Sequence, residues 1–356
     1  MKRAIVIVMD GCGVGSAPDW ESFDETQPAN TIGHVYDANP GLSLPTLERL
    51  GLRASASGEG PRLLPKSQGG KDSVTGHWEM MGIELTDRFP TYPTGFPVGL
   101  RNEFEARIGR PAIWCGPASG TAIIAERGAE MVTTGHPIIY TSADSVFQIA
   151  AHESAVPIDT LYAWCEIARE ICTGANSVQR IIARPFIGVP GAYVRTENRR
   201  DFPLPPPTNL CDEIGDVYGI GVVPELFSHR GFRATARTQS NPEHAVALAA
   251  ALESDAKFIF ANFEDFDMKF GHRNDPTGFA NCLLDFDRWL EGFLGLLGPD
   301  DQILVTADHG NDPTTTSTDH SREFVPLLSW PRVEIPQGAG MALVGECVRE
   351  HLAPLA

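Results

Sequence analysis

Three runs of apolar residues in this chain each end on acidic residues. They are "AIVIVMD" at residues 4–10, "KFIFANFEDFD" at 257–267 and "ILVTADHGND" at 303–312. Unbroken apolar runs without polar alternation are typical of strands that are buried on both faces of a parallel sheet. We therefore predict three buried strands whose carboxyl ends carry acidic side chains.

Helical segments separate these strands. "NPEHAVALAAALES" predicts a helix that is capped by Asn241 and has Pro242 in its first turn. Further along, apolar residues recur at helical spacing from Phe279 to Leu297, which predicts an amphipathic helix packed on the core. Strands that alternate with helices predict an α/β fold with a doubly wound sheet.

Two proline-rich stretches divide the chain. "FPTYPTGFP" at 89–97 and "DFPLPPPTNL" at 201–210 enclose a block of ordinary domain size, which has a helix-forming stretch of its own, "IDTLYAWCEIAREIC". We predict a core domain formed by residues 1–88 and 206–356, with an inserted, smaller α/β cap domain at 89–205. The prolines would serve as hinges between the two.

Composition and charge narrow the class of function. A formal net charge of −18 argues against a nucleic-acid or anionic-membrane surface, because such surfaces must neutralise phosphates with basic residues. Seven scattered cysteines without C-x-x-C spacing are typical of free thiols in a reducing compartment. Asp10 interrupts the first apolar run before it reaches the length of a signal-peptide core, and no transmembrane stretch follows. We expect a cytoplasmic monomer that acts on a small molecule, with no nucleic-acid or membrane partner.

The glycine-rich stretch "GCGVGSAP" after the first strand invites comparison with a dinucleotide-binding loop. The third glycine of G-x-G-x-x-G is replaced by Ser16, and Pro18 interrupts the helix that should follow. We therefore consider this stretch a poor match to that motif.

Carboxylates and imidazoles are concentrated after the predicted strands. In open α/β sheets ligands bind at the carboxyl ends of the strands, where oxygen and nitrogen ligands together suit manganese, zinc or a similar divalent ion. Each residue alone is better explained as a structural residue than as a ligand. Together they predict two adjacent metal sites built from six side chains: Asp10, Asp267, His272, Asp308, His309 and His320.

A candidate nucleophile lies in "GGKDSVTGHWEMMG" at residues 69–82, which offers Ser73 and Thr75 in a glycine-flanked loop. Two neighbouring metal ions are a common arrangement for in-line phosphoryl transfer, and a metal-bound hydroxyl becomes able to attack phosphorus. Ser73 is our first choice and Thr75 our second.

Several motifs together resemble the phosphopentomutase family of the alkaline phosphatase superfamily. In chain order they are "DGCGVGSAPD", "KDSVTGHWE", "PASGTAII", "YTSADSVFQIAAHE", "ARPFIG", "RTENRRDF", "DFDMKFGHR" and "TADHGNDPTTTSTDHSRE". The resemblance implies an alkaline-phosphatase-like core with a mobile cap. It also implies interconversion of ribose 1-phosphate and ribose 5-phosphate, or of the 2-deoxyribose pair, with two manganese ions and a sugar bisphosphate as primer.

The same resemblance implies roles for individual residues. One metal ion would be held by the nucleophile together with Asp10, Asp308 and His309, and the other by Asp267, His272 and His320. The sugar would be contacted by Ser142 and Asp144. The candidates for binding the distal phosphate, which is the one that is not being transferred, are Arg184, Arg195 and Arg199.

Two departures from the family pattern bear on function. Ser73 stands where the family has a threonine, and Val222 stands in "GIGVVPELF" where the family has a lysine close to the substrate. Val222 leaves open a metal-dependent phosphatase or mutase of the same superfamily that acts on a different sugar phosphate. A hydrolase that passes the phosphoryl group to water, and a catalytically silent sugar-phosphate binder, are two further alternatives.

Overall fold

The computed structural model describes residues 2–142 and 145–353. The chain forms two compact units. The first unit combines the residues up to Arg88 with those from Pro206 onwards, and the second unit is Phe89–Pro205. The second unit is thus inserted in sequence between two halves of the first, while its action as a cap stays a prediction.

Thirteen strands occur in the described part of the chain. In chain order they are β1 Arg3–Met9, β2 Arg62–Leu63, β3 Ile113–Pro117, β4 Ile138–Thr141, β5 Val146–His152, β6 Arg180–Ile187, β7 Val194–Arg195, β8 Arg200–Pro203, β9 Val217–Ile220, β10 Phe232–Ala236, β11 Phe258–Phe263, β12 Asp301–Thr306 and β13 Val325–Trp330.

The helices of the described residues are α1 Thr31–Ala38, α2 Pro45–Leu50, α3 Leu52–Ala56, α4 Ser73–Met80, α5 Val98–Ile108, α6 Gly120–Thr134, α7 Ile158–Ile171, α8 Leu210–Ile214, α9 Val223–Leu226, α10 Asn241–Ala251, α11 Pro276–Leu294 and α12 Leu343–Leu352. Short 3-10 turns are formed by Trp20–Phe23, Gly174–Asn176 and Gly271–Arg273, and Phe266–Phe270 forms a π-helical turn. Within the described ranges, no helix has the length and apolar character needed to cross a membrane.

The first unit is built on a seven-stranded sheet in the order β10-β9-β11-β1-β12-β13-β2. The three predicted strands are β1, β11 and β12, and they are adjacent and parallel, with β1 in the middle. All seven residues of β1 are buried, as expected for a central strand covered on both faces. Met9 pairs with Phe263 and Val8 with Thr306, so the three strands end side by side.

The second unit has its own six-stranded sheet in the order β3-β4-β5-β6-β7, with β8 paired to β6. Pairs β3–β4 and β5–β6 are parallel, whereas β4–β5, β6–β7 and β6–β8 are antiparallel. Its core is continuous and rich in aromatic residues, including Phe104, Phe147 and Phe186, which are fully buried. This separate core explains why the insertion forms a compact unit of its own.

The predicted helices are present with shifted boundaries. The amphipathic helix is α11, which begins at Pro276 and ends at Leu294, so Leu297 lies beyond it. In α10 the predicted cap is wrong, because Ser240 precedes the helix and Asn241 is its first residue. The Asn241 side chain instead accepts a hydrogen bond from the backbone N–H of Asp265. The fold class, a doubly wound α/β core, is confirmed.

We predict that Leu283→Ala destabilises the protein by about 2–5 kcal/mol, because Leu283 lies on the buried face of α11 and its truncation leaves a cavity. Leu296→Ala is the control, since that side chain is 61% exposed. The free energy of unfolding in urea measures both. Equal stability of the two variants would contradict the packing described for α11.

Candidate metal centre and nucleophile

The sheet topology brings the predicted ligands together. Asp10 directly follows β1, and Asp308 follows β12 by two residues. Asp267 lies in the π-helical turn after β11. Because β1 is hydrogen-bonded to both β11 and β12, the three carboxylates converge at the carboxyl edge of the sheet.

A first group of side chains surrounds the imidazole of His309. Its Nε2 atom lies 3.4 Å from Oδ1 of Asp10 and 3.3 Å from Oδ2 of Asp308. The hydroxyl oxygen of Ser73 lies 3.2 Å from the same Nε2 atom. The first-choice nucleophile is therefore in contact with the cluster.

A second group is centred on Asp267. Its carboxylate oxygens lie 3.1 Å from Nε2 of His272 and 3.5 Å from Nε2 of His320. Asp267 also adjoins the first group, because its ligand atom and those of Asp10 and His309 all lie within 4.8 Å of one another. The sequence prediction attached Asp267 to the second group alone, whereas the structure puts it within reach of both.

Backbone carbonyls orient two of the imidazoles. Nδ1 of His309 is 3.1 Å from the carbonyl oxygen of Gly310, and Nδ1 of His272 is 2.7 Å from that of Thr318. A carbonyl only accepts hydrogen bonds, so in each ring Nδ1 is the donor. In the neutral ring of His309 this leaves the Nε2 lone pair directed at the cluster, which is the arrangement that metal-binding histidines use.

The carboxylates are poorly compensated without a cation. Burial raises the pKa of Asp10 well above its usual range, and the charges of Asp308 and Asp267 raise it further. Oδ1 of Asp10 and Oδ2 of Asp308 are buried and accept no hydrogen bond from any residue that the structure describes. Buried, unpartnered carboxylate oxygens that face imidazole nitrogens fit a divalent metal ion.

The other two central groups are in the protonation states that a ligand needs. Burial raises the pKa of Asp267, but hydrogen bonds from His272 and His320 outweigh it and hold this pKa well below the usual range. Burial and the charge of His320 lower the pKa of His309 to about 3. At neutral pH the first is an anion and the second a neutral imidazole.

Helix α4 presents Ser73 to this cluster. The carboxylate of Asp72 caps the helix by accepting hydrogen bonds from the backbone N–H groups of Val74 and Thr75. Ser73 is the first helical residue, and its carbonyl oxygen lies 2.8 Å from Nδ1 of the buried His77. The Thr75 hydroxyl is buried and donates a hydrogen bond to Asp72 at 3.1 Å, whereas the Ser73 hydroxyl contacts His309.

Three supporting side chains were not assigned a role from the sequence. Asn262 donates to Oδ2 of Asp10 at 2.6 Å, and Asn311 donates to Oδ1 of Asp267 at 2.6 Å. His77 lies 3.5 Å from Oδ2 of Asp308. A signal did exist for Asn262, since it is the one polar residue within the apolar run "FIFANF" of β11.

Comparison with known proteins gives the family. The model of the metalloenzyme superfamily matches residues 2–353. The phosphopentomutase of Caldanaerobacter subterraneus subsp. tengcongensis is 48% identical over 345 residues, covering 92% of this chain and 87% of the relative. The chain belongs to the phosphopentomutase family. The phosphopentomutase of Dictyoglomus thermophilum is 46% identical over 344 residues, and the alignment covers 92% of this chain and 88% of that relative.

The residues that the family resemblance assigns to the substrate lie in the second unit. Arg184 belongs to β6 and Arg195 to β7, while Arg199 immediately precedes β8. Burial lowers the pKa of Arg184, and the positive charges of Arg199 and Arg195 lower it further. Ser142 follows β4, whereas Asp144 lies outside the described residues.

Val222, at the position of the family's lysine, immediately precedes α9 and follows Gly221 at the end of β9. Its side chain is partly buried, and its carbonyl oxygen accepts the backbone N–H of Glu225. Val222 supplies no cation at this edge of the sheet, and its effect on substrate choice remains a prediction.

We predict that Gly76→Ala disturbs the cluster from within α4. A Cβ atom at this position would lie 2.2 Å from the carbonyl oxygen of Asp308, so helix and loop must separate. The expected loss of stability is about 1–3 kcal/mol, measured by urea unfolding. Gly292→Ala in α11 is the control, because an added Cβ there meets no atom within 4 Å. A Gly76→Ala variant as stable as this control would contradict the close packing.

Proposed function

We propose that this chain is a phosphopentomutase, an isomerase that interconverts ribose 1-phosphate and ribose 5-phosphate, or the 2-deoxyribose pair, through a phosphorylated Ser73. The observation that carries the proposal is the contact of 3.2 Å between the Ser73 hydroxyl and His309, at the edge of a carboxylate and imidazole cluster. Relatives at 48% and 46% identity are phosphopentomutases, which supports the substrate class.

The cluster fits two divalent metal ions, for which we propose Mn²⁺. One would be held by Asp10, Asp308 and His309 together with Ser73. The other would be held by Asp267, His272 and His320. When bound, the two ions lower the proton affinity of the Ser73 hydroxyl and neutralise charge on the phosphoryl group in transfer.

The protein's own groups prepare Ser73 for transfer. The Asp72 cap and the contact of His77 with the Ser73 carbonyl fix the first turn of α4, so the hydroxyl keeps one orientation. In the forward step the bond between phosphorus and the Ser73 oxygen breaks while a sugar hydroxyl oxygen bonds to phosphorus. The resulting sugar bisphosphate then returns its other phosphoryl group to Ser73.

The remaining roles follow from the family. We propose that Ser142 and Asp144 bind the sugar, and that Arg184, Arg195 and Arg199 bind the phosphate that is not being transferred. A sugar bisphosphate would prime the unphosphorylated enzyme. All seven cysteines are free thiols, in keeping with the cytoplasmic location that we propose. A monomer without nucleic-acid partners stays a prediction.

Phosphorus NMR of the manganese-loaded protein tests the reaction. Given ribose 1-phosphate and a catalytic amount of a sugar bisphosphate, the wild-type protein should form ribose 5-phosphate without free phosphate. Ser73→Ala should lower the rate by at least about a thousandfold, because the attacking and accepting oxygen is gone. Thr75→Val is the control and should stay active, since that buried hydroxyl donates a hydrogen bond to Asp72.

The other outcomes of that experiment are equally clear. Free phosphate as the main product would make the chain a hydrolase. If ribose 1-phosphate stays unchanged, a different sugar phosphate is favoured as the substrate. Val222, which stands in place of the family's lysine, allows this alternative. Full activity of Ser73→Ala would contradict the assignment of the nucleophile.

A second variant tests the support of the metal ligands. Asn262→Ala removes the donor to Asp10, and we expect it to weaken Mn²⁺ binding by about 10- to 100-fold, as loss of such a hydrogen bond commonly does. Calorimetric titration with Mn²⁺ measures the affinity. Asn176→Ala in the second unit, which loses a hydrogen bond from Tyr92, is the control and should bind Mn²⁺ normally. Unchanged affinity of Asn262→Ala would contradict this role.

A further inference from the structure

The glycine-rich stretch "GCGVGSAP" after β1 has no role in the proposed reaction so far. Gly13 packs directly on the carboxylate of Glu323, because a Cβ atom at Gly13 would lie 2.5 Å from Oε2 of that side chain. The backbone N–H of Gly15 donates a hydrogen bond to the same oxygen at 3.1 Å. These glycines therefore surround a carboxylate of the chain itself, where a dinucleotide-binding loop would surround a phosphate.

Glu323 accepts hydrogen bonds from three separate segments of the chain. It is 1% exposed and lies two residues before β13. Besides Gly15, its Oε2 accepts the backbone N–H of Thr31, the first residue of α1, at 2.9 Å. Its Oε1 accepts the hydroxyls of Thr31 at 2.7 Å and Ser321 at 2.6 Å. These four donors are uncharged, and they satisfy a carboxylate whose burial would otherwise be costly.

Two of the residues around Glu323 adjoin predicted metal ligands. Ser321 directly follows His320, and Gly310 directly follows His309. Gly310 and Ser321 exchange two backbone hydrogen bonds, of 3.0 and 2.7 Å. A Cβ atom at Gly310 would overlap Oε1 of Glu323, so this glycine also packs on the carboxylate. Glu323 therefore holds the backbone beside one imidazole ligand of each proposed metal ion.

The Thr31 hydroxyl connects Glu323 to a carboxylate ligand. Its oxygen, which donates to Glu323, also accepts the backbone N–H of Asn311 at 3.1 Å. The same N–H donates to the carbonyl oxygen of Gly11 at 2.9 Å. The side chain of Asn311 then donates to Oδ1 of Asp267 at 2.6 Å. Thr31, Asn311 and Asp267 are buried, so packing as well as hydrogen bonding fixes this line of contacts.

We propose that Glu323 and Thr31 are positioning residues that hold the two ligand groups of the metal centre at their spacing. Glu323 orients the two loops that carry imidazole ligands. Thr31 acts through Asn311 on Asp267, whose carboxylate lies within reach of both groups. Neither Glu323 nor Thr31 is itself a proposed ligand. The inference rests on the two-metal centre of the proposed function and adds the residues that set its geometry.

Calorimetric titration of the full-length chain with Mn²⁺, after removal of metal with a chelator, tests this role. Thr31→Val keeps the shape of the side chain and the backbone N–H, but it removes the hydroxyl that contacts Glu323 and Asn311. It should weaken Mn²⁺ binding about tenfold, as loss of a hydrogen bond behind a metal ligand commonly does. Thr31→Ser is the matched control, because it retains the hydroxyl, and it should bind Mn²⁺ as the wild type does.

Electron paramagnetic resonance of the manganese-loaded protein gives a readout that a loss of stability alone would not change. Two manganese ions about 4 Å apart are magnetically coupled, and the coupling depends on their separation. The wild type and Thr31→Ser should give the same coupled spectrum. Thr31→Val should give a changed coupling or the signal of isolated ions.

Ser321→Ala tests the contact between Glu323 and the loop that carries His320. Loss of the Ser321 hydroxyl should also weaken Mn²⁺ binding about tenfold. Ser55→Ala is the control, because its buried hydroxyl donates only to the carbonyl oxygens of Gly51 and Pro61. Thermal unfolding without metal should show a similar loss of stability in the two variants. Only Mn²⁺ binding should then distinguish them.

The outcomes separate this inference from the proposed function. If the wild type binds two Mn²⁺ ions and Thr31→Val and Ser321→Ala match it in affinity and spectrum, the positioning role is overturned and the metal centre stands. Equal weakening in Thr31→Ser and Thr31→Val would also contradict the role of the hydroxyl. A wild type that binds fewer than two ions would overturn the two-metal centre together with this inference. Weakened binding and changed spectra in Thr31→Val and Ser321→Ala alone would support it, whichever product the phosphorus NMR experiment yields.

Discussion

Three buried carboxylates, Asp10, Asp267 and Asp308, converge where three adjacent strands end, and their mutual repulsion is the constraint on which the rest of the structure depends. Burial and the neighbouring charges raise the pKa of Asp10 well above its usual range. The three carboxylates are buried, so the positive charge that compensates them must come from the imidazoles or from bound cations. When metal ions bind, their charge offsets the repulsion among these carboxylates, which then serve as ligands.

The surrounding structure fixes the geometry of this centre. The parallel pairing of β1 with β11 and β12 sets where the carboxylates emerge. Asn262 and Asn311 hold two of them with hydrogen bonds of 2.6 Å, and Gly76 lets α4 approach the loop after β12 closely enough for Ser73 to reach His309. Such preorganisation removes the need to rearrange charged groups during transfer.

The sequence predicts which side chains meet at this edge of the sheet because the signals are local. Unbroken apolar runs predict strands, and the residues that follow a strand must lie at its carboxyl end. What it could not predict depends on contacts between distant segments. Asp267 reaches both groups because the π-helical turn redirects the chain after β11, and no spacing rule encodes that turn. The predicted cap of α10 is wrong because Asn241 finds a tertiary partner in Asp265, and tertiary contacts override local preferences.

In the second unit, the sequence motifs and the structure supply different information. Motifs of the phosphopentomutase family indicate which arginines to examine, yet the sequence does not reveal that Tyr140 is fully buried with its hydroxyl packed against Gly120 at the start of α6. That relation arises from the position of β4 in the sheet and from the missing side chain at Gly120, where a Cβ atom would lie 2.6 Å from the Tyr140 hydroxyl oxygen. Family resemblance therefore identifies the substrate class, whereas the structure identifies the neutral side chains, Tyr140 and Gln148, that lie beside Arg184.

The most direct test of the metal centre is crystallographic anomalous scattering at the manganese edge, on crystals of the wild-type protein grown with Mn²⁺. The assignment of these ligands predicts two peaks, one within bonding distance of Asp10, Asp308 and His309, and the other beside Asp267, His272 and His320. A single peak, or manganese bound away from these side chains, would contradict it.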